Sequence, residues 1–388
     1  MNQRWPDYNS IAHKDFQFLC MDYVRFVLAL LVVLFHAFAL SSISAFSDIE
    51  YPLIGLVSRV LDAFLAHTIV PVYSFISGYL FFLVKEWNKK VYFDKIKKRI
   101  HTLLIPYLLW NGIGIILVAI KQLSCFDTFI SVSGTCIDFS FQNILSCFYM
   151  YNGKLSVPSA ITDYAQLVQT QYYPINTALW YVRDLMVVVV CTPVLYFLLK
   201  KIKAYLIIVL GILYLLFGFY HIDWHLYQLA SVFLFFSYGA LVGLQRMNLV
   251  DVFKKFFKIS IILYPLCSLC YLFVQGYYSN VAVLIRTVNM FAFIAFAFNV
   301  TSWMLHCVPQ WLTFKNIGAS GVFIYMAHCL VLSRMLKILF FIITPDTGMG
   351  MANCYICAAL FTIILLIGTY FLLRKYMVSV LNILIGRV

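Results

Sequence analysis

Ten runs of about 20 mostly apolar residues, each long enough to cross the hydrocarbon core of a bilayer as a helix, constrain this chain more than any other feature. They lie at approximately 19–41, 58–84, 100–120, 176–199, 204–220, 226–244, 259–275, 281–305, 318–341 and 352–373. The expected fold is all-α: a polytopic membrane helix bundle of about ten transmembrane helices. Residues 1–388 form one membrane-embedded domain in this reading. Composition agrees, because 11% of the residues are charged and 63% hydrophobic, against about 25% charged in a soluble domain. The first run follows a polar leader holding Arg4, Asp7, His13, Lys14 and Asp15. It lacks a small-residue cleavage site, so it reads as a retained first helix.

The basic residues set the orientation. Twenty of the 28 Lys and Arg fall in one alternating set of segments, most densely at Lys85, Lys89, Lys90, Lys95, Lys97, Lys98 and Arg99. The opposite connections hold only Arg59, Lys121 and Lys154. Basic loops face the cytoplasm, which places both termini there; the expected location is the cell (inner or plasma) membrane, among lipids. The net charge of +13 follows from this topology and calls for no nucleic acid partner. The one long external segment, about 121–175, is expected to form a cap. It holds Cys125, Cys136 and Cys147, whose pairing stays open. The other cysteines are scattered, mostly in apolar runs, and read as small hydrophobes, not metal ligands.

The first run also carries the sharpest chemistry: Asp22, Arg25 and His36. Ionisable groups inside a membrane are costly and usually face the bundle interior. Eleven helical steps make three turns plus about 20°, so Arg25 and His36 share a face about 16 Å apart along the axis. Asp22, three residues before Arg25, can pair with it.

Around these residues the stretch "MDYVRFVLALLVVLFHAFA" resembles the first helix of the acyltransferase-three family of integral membrane O-acyltransferases, where an Arg is followed by ten residues and a His. "FISGYLFF" (75–82), "LLIPYLLW" (103–110), "LWYVRDLMV" (179–187) and "FIYMAHCLVL" (323–332) resemble further family segments in the expected order. The family's cytoplasmic Arg-x-x-Arg is replaced here by a Lys-rich run, with Lys95, Lys98 and Arg99 nearest to it.

The resemblance implies transfer of an acyl group, most often acetyl, from acetyl-CoA to a hydroxyl of a cell-surface or exported glycan or a lipid-linked sugar. His36 and Arg25 would be the catalytic residues, His36 acting as base or alternatively carrying the acyl group covalently. Arg25, Lys95, Lys98 and Arg99 would meet the donor's phosphates. Plainer readings stand beside these. Arg25 can be a snorkelling interfacial cation, and the Lys85–Arg99 cluster a topology signal or an anionic-lipid site. Trp180, Arg183 and Asp184 read equally as an interfacial group or as a sugar platform. Tyr325 and His328 read as an interhelical hydrogen-bonding pair or as part of the site. Asp62, His67, His221 and His225 read as interfacial polar groups without metal spacing. Two other functions remain open: a transporter or flippase for a glycan or small anion, and a non-catalytic part of a polysaccharide assembly system. Oligomeric state is not fixed by the sequence.

Overall fold

The computed structural model describes residues 13–39, 52–84, 86–122, 139–150, 173–275, 280–308 and 318–387. The described residues form helices and no strands. Eight of the helices are long and apolar enough to cross a membrane, so the chain is a multi-pass membrane protein. In chain order the helices are α1 (His13–Ala39), α2 (Pro52–Phe82), α3 (Lys89–Ile120), α4 (Phe141–Tyr149), α5 (Thr177–Val190), α6 (Thr192–Ile202), α7 (Tyr205–Phe219) and α8 (Trp224–Leu244). They continue with α9 (Leu249–Lys254), α10 (Phe257–Val274), α11 (Asn280–Cys307), α12 (Gly321–Ile343), α13 (Gly348–Tyr376) and α14 (Val378–Ile385).

Three spans depart from plain helices. The fourth expected span is bent by 63° between α5 and α6. Pro193 opens α6, and a proline without an N–H cannot continue the preceding hydrogen-bond ladder. The second span widens into one π-type turn at Asp62–Ala66. The third does so at Ile100–Leu104. This third span also starts earlier than the sequence suggests: the basic stretch expected to be a loop is helical from Lys89. Asn88 explains the start, since its Oδ1 accepts from the Val91 backbone N–H at 2.9 Å and caps the first turn.

The chain divides into two compact units. The first comprises 1–35, 56–96 and 187–324. Its centre is the pairing of α2 with α8, which small residues bring into backbone contact. A Cβ on Gly78 would overlap the Phe236 carbonyl, and one on Gly239 the Phe75 carbonyl. Phe75, Tyr79, Phe235 and Phe298 are buried around this seam. Buried polar groups pair across helices: Asn299 Nδ2 donates to Ser260 Oγ at 3.0 Å, and Asn289 Nδ2 to Ser268 Oγ at 3.1 Å.

The second unit comprises 36–55, 97–186 and 325–388. Here Trp110 Nε1 of α3 donates to the Leu384 carbonyl of α14 at 3.0 Å. Gly386 ends α14 at φ +65°, against the backbone of Thr102. That left-handed conformation is cheap for glycine. Within the expected external cap, residues 139–150 are described and include α4, opened by Ser140 accepting from Asn143 N. Cys147 on α4 is buried with a free thiol, and desolvation pushes its pKa up. Cys125 and Cys136 lie outside the described residues.

Candidate active site

The second unit gathers three reactive side chains from two helices. His36 stands near the end of α1, and His328 and Cys329 are neighbours on α12. The two imidazole centroids are 5.3 Å apart. Cys329 Sγ is 3.4 Å from His328 Nε2. One ligand-capable atom from each of the three residues lies within 4.8 Å of the others.

The His328 tautomer follows from its neighbour. Nδ1 is 2.8 Å from the Tyr325 carbonyl one turn back, and a carbonyl only accepts, so Nδ1 carries the proton. Nε2 therefore presents its lone pair to the Cys329 thiol. His328 is fully buried, whereas His36 and Cys329 are partly accessible.

A polar scaffold orients this cluster. The Tyr325 hydroxyl donates to the Ala178 carbonyl at 2.7 Å. Asn176 Nδ2 donates to the Met326 carbonyl at 2.8 Å. Asn176 N donates to Asn111 Oδ1 at 3.1 Å, and Asn111 Nδ2 to the Tyr107 carbonyl at 2.8 Å. Both asparagines are fully buried. In an apolar environment the first three of these bonds hold the start of α5 against α12 and α3, while the Asn111–Tyr107 bond lies within α3 and orients the Asn111 amide. The start of α5 thus sits beside α12, and the Thr177 side chain and Ala178 backbone lie against Cys329.

An aromatic row runs along α5 towards the imidazoles. Trp180 meets Tyr181 at 6.4 Å, Tyr181 meets Tyr325 edge-on at 6.4 Å, and Tyr325 lies 6.1 Å from His328. Arg183 and Asp184 are buried beside it. Arg183 Nε donates to Asp184 Oδ1 at 2.9 Å, and Arg183 Nη1 donates to the Tyr149 carbonyl at 2.8 Å. The bond to Tyr149 ties α5 to α4.

The remaining sequence-selected residues have separate surroundings. Arg25, in the first unit, pairs with Asp22 at 3.5 Å, and its carbonyl accepts from the Tyr73 hydroxyl at 2.8 Å. Lys95 lies over the Phe81 ring at 5.1 Å. Lys98 is exposed and Arg99 half-buried. Lys95, Lys98 and Arg99 stand at i, i+3 and i+4 on α3, one helical face.

Two features escaped the sequence reading. Cys329 follows His328 directly, but a cysteine in an apolar run has no signal of its own; only the helix geometry turns its sulfur towards Nε2. In the first unit, Asp62 opens the widened turn of α2, His67 follows it, and the two approach to 3.9 Å. His67 Nε2 is 3.4 Å from the Tyr271 hydroxyl, and Arg286, bonded to the Tyr227 hydroxyl, is within electrostatic range of both Asp62 and His67. Their separation in sequence hides this grouping.

Chemically, the His36–His328–Cys329 cluster offers a nucleophile beside a base, a second imidazole within reach, and a donor set that a soft divalent ion such as zinc would accept. Comparison with known families matches residues 18–373 to the family described as an acyltransferase domain. No curated protein and no solved structure matches the chain.

Proposed function

The chain belongs to the acyltransferase-three family and is a membrane-embedded acyltransferase; from that premise we propose that it moves an acetyl group from acetyl-CoA to a hydroxyl of a cell-surface or exported glycan, or of its lipid-linked precursor, at the cytoplasmic membrane. The observation that carries this reading is the partly accessible imidazole of His36, 5.3 Å from His328. A neutral imidazole presents an accepting nitrogen that can take the proton of a hydroxyl as its oxygen attacks.

In this reading His36 removes the proton of the acceptor hydroxyl as its oxygen attacks the acyl carbonyl. His328, locked by the Tyr325 carbonyl, holds a second basic nitrogen alongside. Trp180 offers an aromatic face on which a sugar ring can stack. Tyr181 and Tyr325 line the row between that face and the imidazoles, and the Arg183–Asp184 pair holds α5 in place. Lys95, Lys98 and Arg99 supply a basic helical face for the phosphates of the donor, and Arg25 adds a cation on the helix that carries His36. Salt weakens such exposed attractions. Coenzyme A supplies the activated thioester; the protein's residues bind it, orient it and handle the protons.

Mass spectrometry of surface glycans from cells with and without the gene tests the proposal. An ester-linked acetyl mass present only with the gene supports it. Identical glycans in both would refute the glycan acceptor.

A further inference from the structure

Resting on the acyl-transfer reading, we propose that Cys329 is a covalent acyl carrier: it takes the acyl group from the donor as a protein thioester before the acceptor hydroxyl receives it. The Sγ–Nε2 distance of 3.4 Å to His328 is that of a nucleophile and its base. The Nδ1 contact to the Tyr325 carbonyl leaves Nε2 as the accepting nitrogen. The sulfur also borders Thr177 and Ala178 at the start of α5, where backbone N–H groups at a helix N-terminus favour a developing thiolate. Cys329 is partly accessible, as a group that must meet a substrate has to be.

The two steps balance. In the first, the Cys329 thiol gives its proton to His328 Nε2, and the sulfur attacks the donor's thioester carbonyl. A new sulfur–carbon bond forms, the donor's sulfur–carbon bond breaks, and the departing thiolate takes the proton from His328. Exchange of one thioester for another keeps the acyl group activated. In the second, His36 takes the proton of the acceptor hydroxyl, whose oxygen attacks the acyl carbonyl on Cys329. The Cys329 sulfur leaves and regains a proton through the imidazoles, and an oxygen ester is released. Splitting the transfer this way removes any need for donor and acceptor to occupy the site together, which matters when one carries several charges and the other is a sugar chain.

The test uses full-length protein in liposomes with acetyl-CoA labelled in the acetyl group. In His36→Gln the second step is blocked, so label should accumulate on the peptide holding Cys329 and be released by neutral hydroxylamine. Cys329→Ser, which is nearly isosteric, and Cys329→Ala should each lose glycan transfer by about 100-fold or more, with unchanged elution on gel filtration. Transfer within threefold of wild type in Cys329→Ala would overturn the carrier, and so would absence of label on Cys329 in His36→Gln. In both cases transfer by wild type would leave the acyltransferase reading standing. Label on Cys329 in a protein that acylates no glycan would keep the carrier and remove the glycan acceptor.

Discussion

The ring of His36 on α1 lies 5.3 Å from that of His328 on α12, so the two histidines sit in one cluster although 292 positions separate them in the sequence. Of the two, His328 is the more confined: it is fully buried and its Nδ1 is taken by the Tyr325 carbonyl. A phenyl ring keeps its volume and removes Nε2. His328→Phe should therefore reduce kcat for acyl transfer by about 10²–10⁴-fold, the usual worth of a proton-transferring group, with donor KM nearly unchanged. Steady-state kinetics against both substrates reads this out. A loss confined to KM would assign His328 to binding alone.

The α2–α8 seam predicts a folding defect. Gly239→Val would put side-chain carbons where the Phe75 carbonyl lies, and backbone cannot yield as a flexible side chain can. Overpacking of a close-packed core costs about 1–3 kcal/mol even where side chains adjust, so a clash with backbone should exceed that range. Membrane-inserted Gly239→Val should lose the thermal transition of the wild type, measured in detergent by intrinsic fluorescence. A melting temperature within a few degrees of wild type would show that the two helices need not touch there.

The basic face of α3 predicts how the donor binds. Reversing Lys98 and Arg99 together to Glu should raise KM for acetyl-CoA by about tenfold or more at low salt. Raising ionic strength should weaken wild-type donor binding more than that of the double variant, since screening acts on exposed charge pairs. Equal salt dependence in both proteins would assign this helix to topology or lipid contact alone.

Topology is checked by labelling single cysteines with an impermeant maleimide in intact cells. Sites introduced at Lys98 and Arg387 should be protected until the membrane is broken, and a site at Ser140 should react at once. Reaction of the Lys98 site in intact cells would turn the basic helix to the wrong side for a cytoplasmic donor.

Much of the fold was legible in the sequence because lipid leaves a chain few choices. Apolar runs near 20 residues mark the spans whatever packs around them. The break at Cys191 was less visible: it needs the strain of Pro193 to be resolved by a bend, and not by a gentler kink. The helical extension to Lys89 hid behind its charge, which reads as a loop until Asn88 is recognised as a cap. The site divides the same way. The first-helix motif singled out His36, and the spacing of Tyr325 and His328 put them on one helical face. The sulfur of Cys329 became part of the chemistry only through its distance to Nε2, which no periodicity records. The grouping of Asp62, His67 and Tyr271 likewise depends on helices distant in sequence.

The central claim is that His36 performs acyl transfer and is not merely a buried polar group. A polar side chain in hydrocarbon costs several kcal/mol when unsatisfied, so the replacement must keep hydrogen bonding while losing the proton-accepting nitrogen, and Gln does both. The deciding measurement is the rate of glycan acylation by His36→Gln, reconstituted in liposomes beside wild type, with donor affinity determined on the same samples. The account predicts unchanged donor affinity and a transfer rate at least about 100-fold below wild type. A rate within a few-fold of wild type would contradict it and make His36 a structural residue.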